Sequence, residues 1–139
     1  MMRTNRDALG QALGQGVEIE GHTDLAIDGV KFSGNAQRRR RDALLFHGTI
    51  LLGFDLPLIG QALRIPSSEP DYREGRSHET FCRNIPLTPE AVKQALGQSW
   101  LCGGQAPPID ASKVQRLAGE KYSRPDWIHR RAKRSQASE

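Results

Sequence analysis

The sequence predicts an α+β fold in which a sheet is covered by helices. Three observations carry that expectation. Strand-like segments cluster between residues 17 and 54, and helical spacings lie on either side of them. No strand–helix–strand unit carries the G-x-G-x-x-G fingerprint of a dinucleotide-binding sheet.

In chain order, residues 4–13 read as a short helix, with Leu9 and Leu13 on one face and Gly14 and Gly16 ending it. The segments "VEIE" and "DLAIDGVKF" alternate apolar with polar residues, and Asp28-Gly29 is a turn signal between two strands. "ALLFHGTILLGF" is rich in strand formers and reads as a buried central strand, with Gly48 a bulge or close-approach point. His47 within it reads as a structural histidine bonded to backbone. Asp55 caps a short helix holding Leu58, Ile59 and Leu63, which stops before Pro66. "RIPSSEPDYREGRSHE" has no periodicity and reads as loop. Thr88-Pro89-Glu90 opens a helix that carries Val92, Ala95 and Leu96 inward and ends at Gly97. Asp110 opens a last helix with Val114, Leu117 and Ala118 at helical spacing, pinned by Tyr122 and Trp127 as core anchors. The folded domain is expected over residues 1–127, with 128–139 a basic, disordered tail.

The 139 residues have room for one domain, and 37% hydrophobic against 26% charged residues is an ordinary globular balance. No stretch approaches the ~20 apolar residues that span a bilayer, and the N-terminus lacks the apolar segment of a secretory signal. Two cysteines, Cys82 and Cys102, make no disulfide framework, so a cytoplasmic protein without membrane partners is expected. His78 and Cys82 are four apart and Cys102 is distant, which is not a metal-ligand set. The net charge of +4 sits in Arg38 to Arg41 and in the tail "HRRAKRSQASE". Aromatics are only 6% and none interrupts the four arginines, so the pattern of a nucleic-acid interface is missing.

The chemistry concentrates in "KFSGNAQ". Lys31 is followed by Ser33, Gly34, Asn35 and Ala36, a backbone with little side-chain bulk beside a compact ammonium. Such a backbone lets N–H groups approach an anion, and lysine serves a phosphate or carboxylate as a point charge. Taken alone, the segment reads first as a solvated turn with one exposed lysine.

The wider context decides. "DLAIDGVKFSGNAQRRRRDALLFHGTILL" resembles the core of the lipoate–protein ligase family, within the biotin/lipoate ligase superfamily. There a strand ending in D-L precedes G-x-K-[FI]-[SA]-G-[NS]-A, a basic stretch and H-G-T-L-L. "PSSEPDYREGRSHETFCRNI" is similar to the family's P-x-Y-R…R-x-H loop, and "LAGEKYSRPDW" to its K-Y-x-x-x-x-W ending. The likeness runs over residues 16–127.

The resemblance implies part of a class II synthetase-like catalytic domain with a mainly antiparallel or mixed sheet. It also implies an activity: lipoate and ATP, with Mg²⁺, give lipoyl-adenylate, whose acyl group passes to a lysine of an acceptor domain. The acceptors it implies are 2-oxoacid dehydrogenase E2 subunits and the glycine cleavage H protein. Lys31 matches the family lysine between lipoate carboxyl and phosphate, Ser33, Gly34 and Asn35 match the loop beside it, and Asp24 is a candidate for Mg²⁺ or nucleotide.

The family's R-R-x-x-G-G-G segment does not occur, since the only adjacent glycines are Gly103 and Gly104. A separate N-terminal ligase half is therefore an expected partner. A non-catalytic remnant, recognising acceptor domains or polyanions through Arg38 to Arg41, is the alternative. The octanoyltransferase branch uses a cysteine a little upstream of the lysine, whereas Cys82 and Cys102 lie well downstream, which disfavours a thiol mechanism.

Overall fold

The computed structural model describes residues 1–101, 103–104 and 108–129, in two compact units, Met1–Cys102 and Gly103–Glu139. The first unit begins with α1 (Met2–Leu13), followed by β1 (Glu18–Glu20), β2 (Asp24–Ile27), β3 (Val30–Arg39) and β4 (Leu44–Ile50). Then come α2 (Leu56–Ala62), a 3₁₀ turn (Asp71–Arg73), α3 (His78–Phe81) and α4 (Pro89–Ser99). The strands form one antiparallel sheet in the order β1-β2-β3-β4, so the α+β expectation holds.

Local chemistry explains most boundaries. Gly14 takes a left-handed conformation after α1 and its N–H bonds Gln11 O, closing the helix. Asp28 and Gly29 both have positive φ, 52° and 69°, the pair of left-handed residues that a tight hairpin turn requires. Thr88 Oγ1 accepts from Ala91 N at 3.2 Å and starts α4, which runs two residues past Gly97. Asp55 stands at the start of α2 without a capping bond from its carboxylate.

The core lies where α1 and α4 meet the sheet: Leu9, Leu25, Ile27, Phe32, Ile85 and Val92 are buried together. Asn5, also buried, accepts from Trp100 Nε1 at 2.8 Å and ties α1 to the end of α4.

One irregularity shapes everything that follows. Leu25 faces Ser33 but Ala26 faces Lys31, so Phe32 is an extra residue on β3, a β-bulge. In a regular strand Phe32 and Ser33 would point to opposite faces. Here both are buried, and the kink turns Lys31 toward Gly34 and Asp24.

The expected central strand is instead an edge. β4 pairs with β3 alone among the described residues, and Leu44 and Leu45 are exposed. Apolar composition signals what a strand can bury; it does not supply a neighbour, and β4 has β3 on one side only. His47 is exposed opposite Ala36 rather than a buried structural histidine. Gly48 is the expected close-approach point: the Asn35 carboxamide lies directly over it, and a Cβ there would fall 2.8 Å from Gly34 O. The stretch read as loop contains the 3₁₀ turn and the start of α3, the latter capped by Ser77 Oγ accepting from Thr80 N. Helices of three or four residues are too short to show a period.

In the second unit, Asp110 accepts from Lys113 N at 3.0 Å and opens α5 (Ala111–Leu117), which passes through a π-turn (Ala118–Tyr122) before α6 (Pro125–Ile128). Tyr122 meets Trp127 edge-on at 5.2 Å, yet Tyr122 is about half exposed. The core-anchor expectation fails for Tyr122, because this ring packs on a local neighbour. The expected tail falls outside the described residues from 130 onward, as does Cys102. No helix among the described residues is long and apolar enough to cross a membrane.

Candidate active site

Lys31 leaves β3 immediately before the bulge. Its Nζ lies 2.8 Å from Asp24 Oδ1, and Tyr72 donates to Asp24 Oδ2 at 2.8 Å. The Asp24 side chain is 13% exposed and the Lys31 side chain 27%, so the pair is partly desolvated while the ammonium stays reachable. Burial first, and then the bond to Asp24, push the Tyr72 phenol far above the usual tyrosine range. It remains a donor, and its stabilising effect holds below the ordinary tyrosine pKa of about 10, fading only as pH rises beyond it. Tyr72→Phe is expected to lower stability by about 2 kcal/mol in urea unfolding at neutral pH. Less than about 0.5 kcal/mol would show that the bond contributes little.

Gly34 faces Asp24 across the β2–β3 pair, and the Lys31 side chain folds over it. A Cβ at Gly34 would sit 3.2 Å from both Cε and Nζ of Lys31. The small residue in "KFSGNA" therefore makes room for the ammonium itself. Ser33 and Asn35 serve a different purpose. Asn35 Nδ2 donates to Thr23 O at 2.9 Å and to Ser33 Oγ at 3.1 Å, locking the strand after the bulge.

Elements distant in sequence complete the site. Cys82, at the end of α3, forms an isolated parallel bridge with Lys31, and Arg83 N donates to Lys31 O at 2.8 Å. Phe81 is the hub: Lys31 Nζ lies 5.9 Å, Arg73 Cζ 4.8 Å and Arg76 Cζ 5.3 Å from its ring centre, and the Tyr72 ring packs at 5.1 Å. Arg73 is buried, with Nε on Glu69 and on Arg76 O. The loop's motif alone gives Tyr72, Arg73, Phe81 and Cys82 no role in the site. Only the tertiary pairing of residues 31 and 82 places them.

Lys31, Arg73, Phe81 and Cys82 border a cavity of about 360 Å³. Lys31, Arg73, His78 and Cys82 supply polar groups, and Leu51, Ile59, Leu63 and Phe81 supply apolar ones. Burial raises the Cys82 thiol above its ordinary range, with Lys31 and Arg73 pulling the other way, so at neutral pH it is a thiol. Asp24 and Tyr72 border a second, acidic cavity of about 660 Å³ with Glu20, Glu69 and Asp71. The four arginines stand elsewhere: Arg38 and Arg39 end β3, while Arg40 and Arg41 enter the hairpin turn closed by Arg40 N to Ala43 O, all exposed.

Comparison with known proteins identifies this architecture. An octanoyltransferase LipM of Kyrpidia tusciae is 28% identical over 120 residues, covering 78% of this chain and 44% of that protein. Lipoate–protein ligase 1 of Staphylococcus aureus is 25% identical over 132 residues, covering 87% of this chain and 40% of that protein. The chain thus spans less than half the length of these relatives. A lipoate-protein ligase A bound with ATP shares the fold at a TM-score of 0.70 and 21% identity, over 91% of this chain and 57% of that one. A Thermoplasma acidophilum protein with bound lipoic acid does so at 0.68 and 20%, with the same coverage. The family model of the lipoyl protein ligase A/B catalytic domain matches residues 6–99, and the chain belongs to that family.

Proposed function

We propose that this chain supplies the lysine-bearing part of an ATP-dependent lipoate–protein ligase. The observation that carries the reading is the two-sided cavity: an ammonium at Lys31 and an apolar wall at Leu51, Ile59 and Leu63. That arrangement suits a short acyl chain ending in a carboxylate, as lipoate or octanoate does. A lipoate carboxylate oxygen attacks the α-phosphorus of ATP and pyrophosphate leaves with the bonding electrons. A lysine amine of an acceptor domain then takes the acyl carbon and releases AMP.

Lys31 acts in both steps. Two anions repel as they approach, and a cation held between them offsets that cost. At about 4 Å and an effective dielectric of about 20, one charge pair is worth about 4 kcal/mol. Asp24 and Tyr72 hold the ammonium in place beforehand, so little reorganisation is needed. Both Asp24 oxygens are engaged by Lys31 and Tyr72, so this carboxylate does not fit a prepared Mg²⁺ site, and no step is assigned to the metal.

The acceptors of this reading are E2 lipoyl domains and the glycine cleavage H protein. A structural neighbour described as a bi-partite lipoate protein ligase supports a two-chain arrangement, with a second polypeptide completing the site. The exposed arginine hairpin would speed encounter with an acidic acceptor, an effect that salt weakens. The test supplies ATP, Mg²⁺, lipoate and an acceptor domain to the chain, alone and with a complementing ligase half. Acceptor lipoylation with release of AMP supports the reading, and no transfer in either case contradicts it.

One observation favours a second reading, acyl transfer through a thioester on Cys82: the thiol lies beside Lys31 in the same cavity. Its raised thiol weighs against it. Cys82→Ser is expected to retain ATP-dependent transfer within about threefold, since a neutral hydroxyl replaces a neutral thiol. Loss of transfer with appearance of an acyl adduct on wild-type Cys82 by mass spectrometry would favour the thioester route.

A further inference from the structure

Two buried nitrogens on residues that line the same cavity have no partner. Arg73 Nη2 and His78 Nε2 are shielded from solvent and make no hydrogen bond. The Arg73 side chain is only 4% exposed, and its other contacts are fully specified: Nε on Glu69 at 3.1 Å and on Arg76 O at 2.9 Å, with the guanidinium face on Phe81. A guanidinium keeps its charge at any physiological pH, so this N–H cannot be silenced by losing a proton. Orphaned buried donors are rare because each forfeits its bonds to water. Three cations, Lys31, Arg73 and Arg76, surround Phe81, against two paired carboxylates, Asp24 and Glu69. The third cation, Arg76, is bonded to the carbonyls of Tyr72, Arg73 and Gly29, while Lys31, Arg73 and His78 line one cavity.

We infer that Arg73 and His78 form, with Lys31, a three-point anchor for the anionic group of the acyl ligand, carboxylate or phosphoryl. Arg73 Nη2 and His78 Nε2 are the donors that the ligand oxygens satisfy. The inference rests on the proposed function and extends it, since neither residue belongs to the "KFSGNA" segment. It also gives the P-D-Y-R segment a role: the 3₁₀ turn carries Arg73, and the Phe81 ring holds its guanidinium beside the cavity.

The test compares sodium octanoate with neutral octanamide by calorimetric titration into the full chain. Wild type is expected to prefer octanoate. Arg73→Lys keeps a cation for Glu69 but loses the guanidinium fork, and is expected to weaken octanoate about 10- to 100-fold while leaving octanamide unchanged. His78→Phe is expected to weaken octanoate about fivefold. Unchanged octanoate affinity in both variants, with Lys31→Ala still weakened, overturns this inference alone. Should Arg73→Lys fail to fold in a thermal melt, His78→Phe decides, and unchanged octanoate affinity overturns the proposal. No preference for octanoate in wild type, or none lost in Lys31→Ala, overturns the ligase reading as well.

Discussion

Lys31→Ala is expected to reduce acyl transfer to an acceptor domain by about 10²- to 10³-fold, the loss typical of removing one preorganised electrostatic group. The ammonium reaches the cavity from a partly exposed position, so the fold should tolerate its removal. It leaves Asp24 hydrogen-bonded to Tyr72 but without its cation. Two features should separate a chemical role from a structural one. The melting temperature falls only as far as loss of the Asp24 pair takes it, about 1–3 kcal/mol of stability, leaving the chain folded under assay. The loss of activity appears in kcat as well as kcat/KM, because the charge matters most as the anions meet. Arginine should not rescue: a planar guanidinium is larger, and the space over Gly34 is filled by the lysine Cε and Nζ. Transfer retained within about threefold of wild type would show that the charge at position 31 is not used.

Phe32→Ala is expected to cost about 3–5 kcal/mol of stability, a large part of the ~5–15 kcal/mol available to a domain of this kind. Phe32 is fully buried and sits among Leu9, Leu25, Ile27 and Ile85. It is also the extra residue of the bulge, and its carbonyl accepts from Leu51 N at 2.9 Å. A cavity there loosens the core and the strand that presents Lys31 together. Urea unfolding should show a lower midpoint with an unchanged slope. A loss below about 1 kcal/mol would mean that the bulge is held by backbone pairing alone and that the side chain contributes little.

Much of the frame was legible in the sequence wherever structure follows from neighbouring residues. Asp28-Gly29 specified its turn and Thr88-Pro89 its helix start, because both act through backbone conformation and bonds within three residues. Lys31 and Gly34 were readable together because they share one short segment, whereas the hairpin register is what brings Asp24 to them as a partner rather than the Mg²⁺ or nucleotide ligand expected. Two features were not readable. The bulge at Phe32 leaves no mark in an alternating pattern, though it aims the lysine. The pairing of Lys31 with Cys82 joins residues 51 apart, and with it come Phe81, Arg73 and the floor of the cavity. Distance along the chain made Cys82 look remote when it stands beside the lysine. The edge position of β4 escaped for the opposite reason: its Leu44 and Leu45 have the composition of buried residues and are exposed.

The most direct measurement is a crystal structure of the chain, with its complementing half if required, bound to a non-hydrolysable octanoyl- or lipoyl-adenylate analogue. The account predicts the Lys31 ammonium in hydrogen-bond contact with the acyl–phosphoryl mimic and the acyl tail against Leu51, Ile59 and Leu63. An analogue seated elsewhere, with the Lys31–Asp24 pair undisturbed and the cavity empty, would contradict it.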